Sequence, residues 1–165
     1  MPRLRILPHP DLCPEGITLE SAPGTRLSDA LLAAEPFVGT DCFVLVGGAC
    51  PDGALDALAA ETGRICWMAA VERDTDDAPV LQLARKENVV ALMDAPLLVQ
   101  RYAHQGRLWR DAGVYRFAPD IFDACRCLPV LPDGCRGELR GAIVRMLATG
   151  ECRFRALLCP PPAAK

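Results

Sequence analysis

Short apolar runs alternate with stretches of helical apolar spacing along this chain, and that alternation sets the first expectation. Residues 4–7 and 17–20 read as short strands around a Pro-rich turn, which predicts a β-hairpin. Leu27, Leu31 and Ala34 recur at helical spacing with Ser28-Asp29 near the start, so a helix is expected over 27–35, ended by Pro36. Phe43-Val-Leu-Val46, followed by Gly47-Gly48, fits a buried strand feeding a tight turn. A helix over 54–61, with Gly63 just past its end, leads to a second buried strand over 65–71. Residues 80–83 and 89–93 flank the polar Arg85-Lys-Glu-Asn88 and predict a second hairpin. A strand over 112–117 and a helix opened by Pro119 to about Cys125 come next. A helix over 139–148 closed by Gly150 and a strand over 153–158 complete the pattern, and residues 159–165 read as a flexible tail. Strands alternating with helices, plus hairpins, predict an α/β domain of three layers around a mixed sheet.

Composition narrows the picture only a little. A chain of 165 residues suggests one domain over 1–158, with a hairpin segment at 1–26 and a main part at 27–158. Apolar residues make up 51% and charged residues 24%, which suits a packed core. A net charge of −3 with scattered basic residues gives no reason to bind nucleic acid or an anionic membrane. No apolar stretch is long enough to span a bilayer, and no signal-peptide core follows Met-Pro-Arg-Leu-Arg, so a soluble cytoplasmic protein is expected. The nine cysteines are odd in number and contain no Cys-x-x-Cys pair, which argues against a complete disulfide framework. Cys125-Arg-Cys127 with Cys135 offers three thiolates to a metal; the alternative is that these are small apolar fillers.

Five segments carry a family resemblance. Asp111-Ala-Gly-Val-Tyr-Arg-Phe-Ala-Pro-Asp-Ile-Phe-Asp123 resembles the Asn-Ala-Gly-Val-Tyr-x-Phe-x-Pro-x-Ile-Phe segment of sugar nucleotidyltransferases, which join a nucleotide to a sugar 1-phosphate. Ser28-Asp-Ala-Leu-Leu-Ala-Ala-Glu-Pro-Phe-Val-Gly39 is similar to that family's helix before its central strand. Phe43-Val-Leu-Val-Gly-Gly-Ala49 stands where the family writes a strand ending in Gly-Asp. Residues 80–96, ending in Asp94-Ala95-Pro96, resemble a hairpin ending in Glu-Lys-Pro. Gly137-Glu-Leu-Arg-Gly-Ala-Ile143 resembles a shortened Gly-Glu-x-Glu-Leu-Thr-Asp-Ala-Ile. The resemblance spans about 28–158 and implies a Rossmann-like nucleotidyltransferase fold, truncated at its start.

The departures bear on function. The resemblance puts Ala49 and Gly141 where the family carries metal-binding aspartates, and Ala95 where it carries a substrate-binding lysine. Nucleotidyl transfer builds charge on phosphate oxygens, which a divalent cation and basic side chains must neutralise. Alanine and glycine supply no oxygen ligand, so no catalytic residue is assigned. The family's Gly-rich phosphate loop is reduced here to Pro23-Gly-Thr-Arg-Leu27. Asp52, Asp74, Asp76 and Asp77 are possible replacement ligands, and an active version would need magnesium. Ile6-Leu-Pro-His-Pro-Asp-Leu-Cys-Pro-Glu-Gly16 and the residues up to about 34 also resemble the opening of a [2Fe–2S] ferredoxin, without the closely spaced cysteines that hold its cluster.

The ligand-binding candidates are therefore Gly47, Gly48, Asp52, Asp94, Asp111, Gly113 and Glu138, with no cofactor expected. Trp67 and Trp109 fit either a pocket or the core. Arg101, Arg107 and Arg110 fit either a phosphate site or, more simply, a solvated loop. His9, His104, Ser21 and Ser28 sit in no recognisable metal or hydrolase context. Three readings remain: a non-catalytic domain binding a nucleotide sugar or a protein partner, including a second copy; an atypical active nucleotidyltransferase; and a chimeric or decayed scaffold with no small-molecule role. Loss of the family's first strands leaves one sheet edge uncovered, and the N-terminal hairpin is the segment available to cover it.

Overall fold

The computed structural model describes residues 3–7, 17–20, 26–47, 49–72, 78–94 and 99–160. Within them the order is β1 (Arg3–Leu7), β2 (Ile17–Glu20), α1 (Leu27–Val38), β3 (Phe43–Val46), α2 (Ala54–Ala60), β4 (Cys66–Glu72), β5 (Val80–Leu83), β6 (Val89–Met93), β7 (Trp109–Phe117), α3 (Asp120–Arg126), α4 (Leu139–Thr149) and β8 (Phe154–Cys159). The strands form one mixed sheet in the order β2-β1-β3-β7-β4-β8, with the β5–β6 hairpin branching from β7 at Val80 and Arg110. β4 and β8 run parallel, from Cys66 beside Phe154 to Val71 beside Cys159, and the other described pairings are antiparallel.

Alternation along the strands separates two faces. Phe43, Leu45, Cys66, Met68, Tyr115, Phe117 and Phe154 point into the larger core, where α1, α3 and α4 cover them. Val44, Trp67, Ala69 and Val114 point to the opposite face and pack on Ala54 and Leu58 of α2. Helix, sheet and helix make three layers, as the apolar pattern predicts. Phenylalanine rings hold the larger core together: Phe43 stacks on Phe122 at 5.4 Å, and Phe117 meets Phe154 edge-on at 6.2 Å. Each such ring contributes about 1.5–3 kcal/mol on burial.

The N-terminal hairpin lies on the sheet. β1 pairs antiparallel with β2, and its other edge pairs with β3 from Arg5 beside Val46 to Leu7 beside Val44. The edge of β3 is thereby covered.

Several boundaries differ from the sequence expectation for identifiable reasons. α1 runs through Pro36 to Val38. Proline removes one donor to the Leu32 carbonyl, but Val38 is buried and holds the last turn in place. Gly39, at φ +71°, ends the helix and donates to the Glu35 carbonyl at 3.3 Å. β7 begins at Trp109 rather than at 112, because Glu72, Val71 and Ala70 of β4 pair with its first residues. β8 extends to Cys159, which is buried, one residue beyond the expected strand; residues 161–165 lie outside the described residues. Both tryptophans belong to the core, and the Arg155 guanidinium sits 4.6 Å over the Trp67 ring. Arg110 is not in a solvated loop: it is buried and donates to the Ala78 carbonyl at 2.6 Å. Among the described residues no helix is long and apolar enough to cross a membrane.

Candidate functional site

The site begins with an irregularity in β7. Met68 of β4 pairs with Tyr115, but Ala70 pairs with Asp111, so β4 advances two residues (68 to 70) while β7 advances four (115 to 111). The surplus residues bulge, and Gly113 sits in the bulge at φ +73°, a conformation that costs a residue with a Cβ. In a flat strand Asp111 and Tyr115 would stand about 13 Å apart. The bulge folds them together: Asp111 Oδ1 accepts from the Gly113 N–H at 2.8 Å and Oδ2 accepts from the Tyr115 hydroxyl at 2.5 Å. Burial pushes the Asp111 carboxyl above its ordinary range, against those two hydrogen bonds and the nearby Arg140, which pull it down. Burial also pushes the Tyr115 phenol well up, helped by the adjacent carboxylate, so the hydroxyl remains a donor.

Two helix N-termini close over this floor. The Ser28 hydroxyl donates to the Gly137 carbonyl at 2.6 Å, and the Arg136 N–H donates to Asp29 Oδ2 at 3.0 Å. These contacts tie the first turn of α1 to the loop before α4. The N-cap positions are Arg26 and Glu138, and neither helix has a side-chain cap. First-turn amides and the positive ends of two helix dipoles therefore lie side by side. Arg26 lies 3.5 Å from Asp133 and 3.8 Å from Glu138, while Arg140 pairs with Asp94. Between helices and bulge is a cleft of about 350 Å³, lined by Arg26, Leu27, Asp111, Tyr115, Glu138 and Arg140 among others. The volume lies at the small end of the range for small-molecule sites.

The sequence candidates divide across this geometry. Asp111 and Glu138 line the cleft, and Asp94 reaches it through Arg140. Gly113 shapes the floor. Gly47 donates its N–H to the Gly113 carbonyl at 2.8 Å, and a Cβ there would stand 3.1 Å from Leu27 Cδ2. Gly47 thus commits its amide to β7 and lets α1 approach closely. Ala49 and Asp52 are exposed in the turn before α2 and are not among the cleft-lining residues. Gly141 is exposed on α4, where a Cβ would come 3.0 Å from Leu128 Cδ2. Gly48, Ala95, Asp74, Asp76 and Asp77 lie outside the described residues.

Among the described residues no group of three His, Cys, Asp or Glu side chains gathers as a metal site would require. Cys125 instead fills the core on α3, where burial pushes its thiol up to about 12. Arg107 pairs with Glu72 at 3.3 Å, and neither it, Arg101 nor Arg110 lines the cleft. Sequence reasoning missed Arg26, Tyr115 and Arg140. The signal for Tyr115 was its place two residues past Gly113 in the quoted motif; Arg26 and Arg140 flank helix starts.

No known family's sequence profile and no curated protein matches the chain. Solved structures do resemble its fold. One is the inositol-1-phosphate CTP transferase from T. maritima, at 14% identity and TM-score 0.58 over 82% of this chain and 52% of that one. A UDP-glucose pyrophosphorylase complexed with UDP-glucose gives 14% identity and TM-score 0.60 over 85% and 56%. A putative glucose-1-phosphate thymidylyltransferase from Bacillus anthracis, in complex with a sucrose, gives 14% identity and TM-score 0.62 over 83% and 55%. The chain spans about half the length of these proteins. The fold is nucleotidyltransferase-like, and these neighbours lend no support to the ferredoxin likeness of residues 4–34.

Proposed function

We propose that this chain is a non-catalytic nucleotidyltransferase-like domain that binds a nucleotide sugar or a sugar phosphate in the cleft over Asp111. The observation that carries the reading is the convergence of two helix N-termini without side-chain caps and two arginines above the Asp111 floor. Phosphate suits the upper part. First-turn amides with Arg26 and Arg140 offer donors and positive potential to an anion, once Arg140 exchanges Asp94 for it. Sugar hydroxyls suit the lower part, where the remaining acceptor capacity of Asp111 receives donors, and Glu138 at the N-cap of α4 offers further acceptors. Two of the neighbours fit this chemistry in their own names, one complexed with UDP-glucose and one a transferase acting with inositol 1-phosphate and CTP.

The residue types point away from turnover. Asp111 is engaged with Gly113 and Tyr115, and Ala49 and Gly141 carry no oxygen ligand for a cation. Binding alone needs no cofactor in this reading.

Calorimetry and thermal unfolding with UDP-glucose, glucose 1-phosphate and UTP, with and without magnesium, test the proposal. The expected result is a rise in Tm with UDP-glucose or glucose 1-phosphate and no pyrophosphate release from UTP. Replacing Arg26 and Arg140 together by Gln is expected to weaken that binding by about ten- to a hundredfold. Magnesium-dependent pyrophosphate release would overturn the non-catalytic reading in favour of displaced carboxylates such as Asp52. A sharp transition that no ligand moves would overturn the binding reading and leave a scaffold.

A further inference from the structure

A pair of thiols lies on the far side of α4's C-terminus. Cys66 opens β4 and is fully buried; Cys152 sits in the turn between α4 and β8 and is half-buried. The parallel pairing of β4 with β8 sets Cys66 beside Phe154, and the Cys66 N–H donates to the Arg153 carbonyl at 3.0 Å. That register brings residues 86 positions apart in sequence into contact, with their Sγ atoms 3.0 Å apart. Cys152 also lines an open cleft of about 570 Å³, whose wall includes Asn88, Val90, Leu147 and Arg153. Cys152 is therefore the half-buried member of the pair, on the wall of a space that a small molecule can enter, and Cys66 is the buried one.

We propose that Cys152 and Cys66 form an exchange-active dithiol, in which Cys152 attacks a small-molecule disulfide of the glutathione class and Cys66 resolves the mixed disulfide. The first step breaks the incoming S–S bond. The Cys152 thiol gives its proton to solvent, its sulfur bonds to one sulfur of the incoming disulfide, and the other sulfur leaves as a thiolate that takes up a proton. In the second step Cys66 loses its proton and its sulfur attacks Cys152 Sγ; the mixed disulfide breaks and the second thiol departs. One small disulfide is reduced to two thiols while the two cysteines are oxidised to one disulfide.

The surroundings favour this division of labour. The hydrogen bond between the two sulfurs holds the Cys152 thiol down at about 7, against burial and the nearby Asp120 carboxylate, and Arg64 helps it. That same bond and burial hold the Cys66 thiol well up, so Cys152 is the group that ionises. The Ala118 N–H points at Cys66 Sγ from 3.3 Å and supports the thiolate when its turn comes. Closing from 3.0 Å to a covalent S–S bond of about 2 Å is a small movement for the Cys152 turn. Exposed Arg153, which lines the cleft beside Cys152, matches a carboxylate of a glutathione-type disulfide.

The test treats the full reduced protein with oxidised glutathione, then alkylates the remaining thiols and maps the digest by mass spectrometry. Wild type is expected to yield a Cys66–Cys152 crosslinked peptide. C66A is expected to stop at glutathione on Cys152, and C152A is expected to lose both products. The wild-type map stands alone should C66A fail to fold. The proposal is overturned if Cys152 is modified no faster than exposed Cys127, if the glutathione adduct on wild-type Cys152 is never displaced by Cys66 to give the Cys66–Cys152 disulfide, or if Cys152 pairs with Cys42 instead.

Discussion

Asp111 is an unusual carboxylate, because both of its oxygens are already committed within the chain and its environment opposes its charge. A carboxyl whose pKa is raised on folding holds its proton to higher pH in the folded than in the unfolded state. Stability from this group is therefore full below the ordinary aspartate value of about 4 and falls as pH rises through the folded value. Asp111→Asn keeps an acceptor for the Gly113 N–H and removes the titration. Urea unfolding is expected to show the Asp111→Asn variant at least as stable as wild type at pH 7, and its advantage to shrink near pH 3. A variant equally destabilised at both values would mean that the charge is held favourably. Tyr115→Phe removes the donor to Oδ2 and is expected to cost about 1–3 kcal/mol at pH 7. A charge held against the fold's interest is characteristic of binding sites, which is why Asp111 anchors the reading of the cleft.

At the scale of elements, the bulge of β7 is the feature on which the cleft depends. Gly113→Ala forces a Cβ into φ +73° and is expected to cost about 1–2 kcal/mol, with weaker ligand binding as Asp111 and Tyr115 separate. Unchanged stability and binding would show that the bulge tolerates a side chain. This level also shows what the sequence could and could not tell. Apolar runs such as Phe43-Val-Leu-Val46 are local, so the strands were legible. Proline rules are local as well, so Pro36 reads as a stop, whereas the burial of Val38 that carries α1 past it is tertiary. Pro36→Ala restores one donor to the helix and is expected to stabilise the protein by about 1–2 kcal/mol in urea unfolding. Asp111 and Glu138 were legible through their motifs. Arg26 and Arg140 were not, since their value comes from two helix starts that meet only through Ser28, Asp29 and the 136–137 backbone.

At the scale of the whole molecule, the hairpin solves an edge problem. β3 lies inside the sheet because β1 pairs with it on one side and β7 on the other. Without the hairpin, Val44 to Val46 would present unpaired backbone groups along an apolar edge, a template for another chain. The cleft lies close to that edge, since Gly47 directly after β3 is bonded to Gly113 of the bulge. Removing residues 1–25 is therefore expected to have two linked effects. Light scattering should show concentration-dependent self-association as β3 finds a substitute neighbour, and Tm should fall. Ligand binding in the cleft should weaken in parallel, because the strand that braces Gly113 is no longer held on its far side. A monomeric deletion variant with the Tm and ligand response of the full chain would show that β1 and β2 cover an edge that needs no cover, and would place the source of rigidity at Gly113 in β7 and β4 alone.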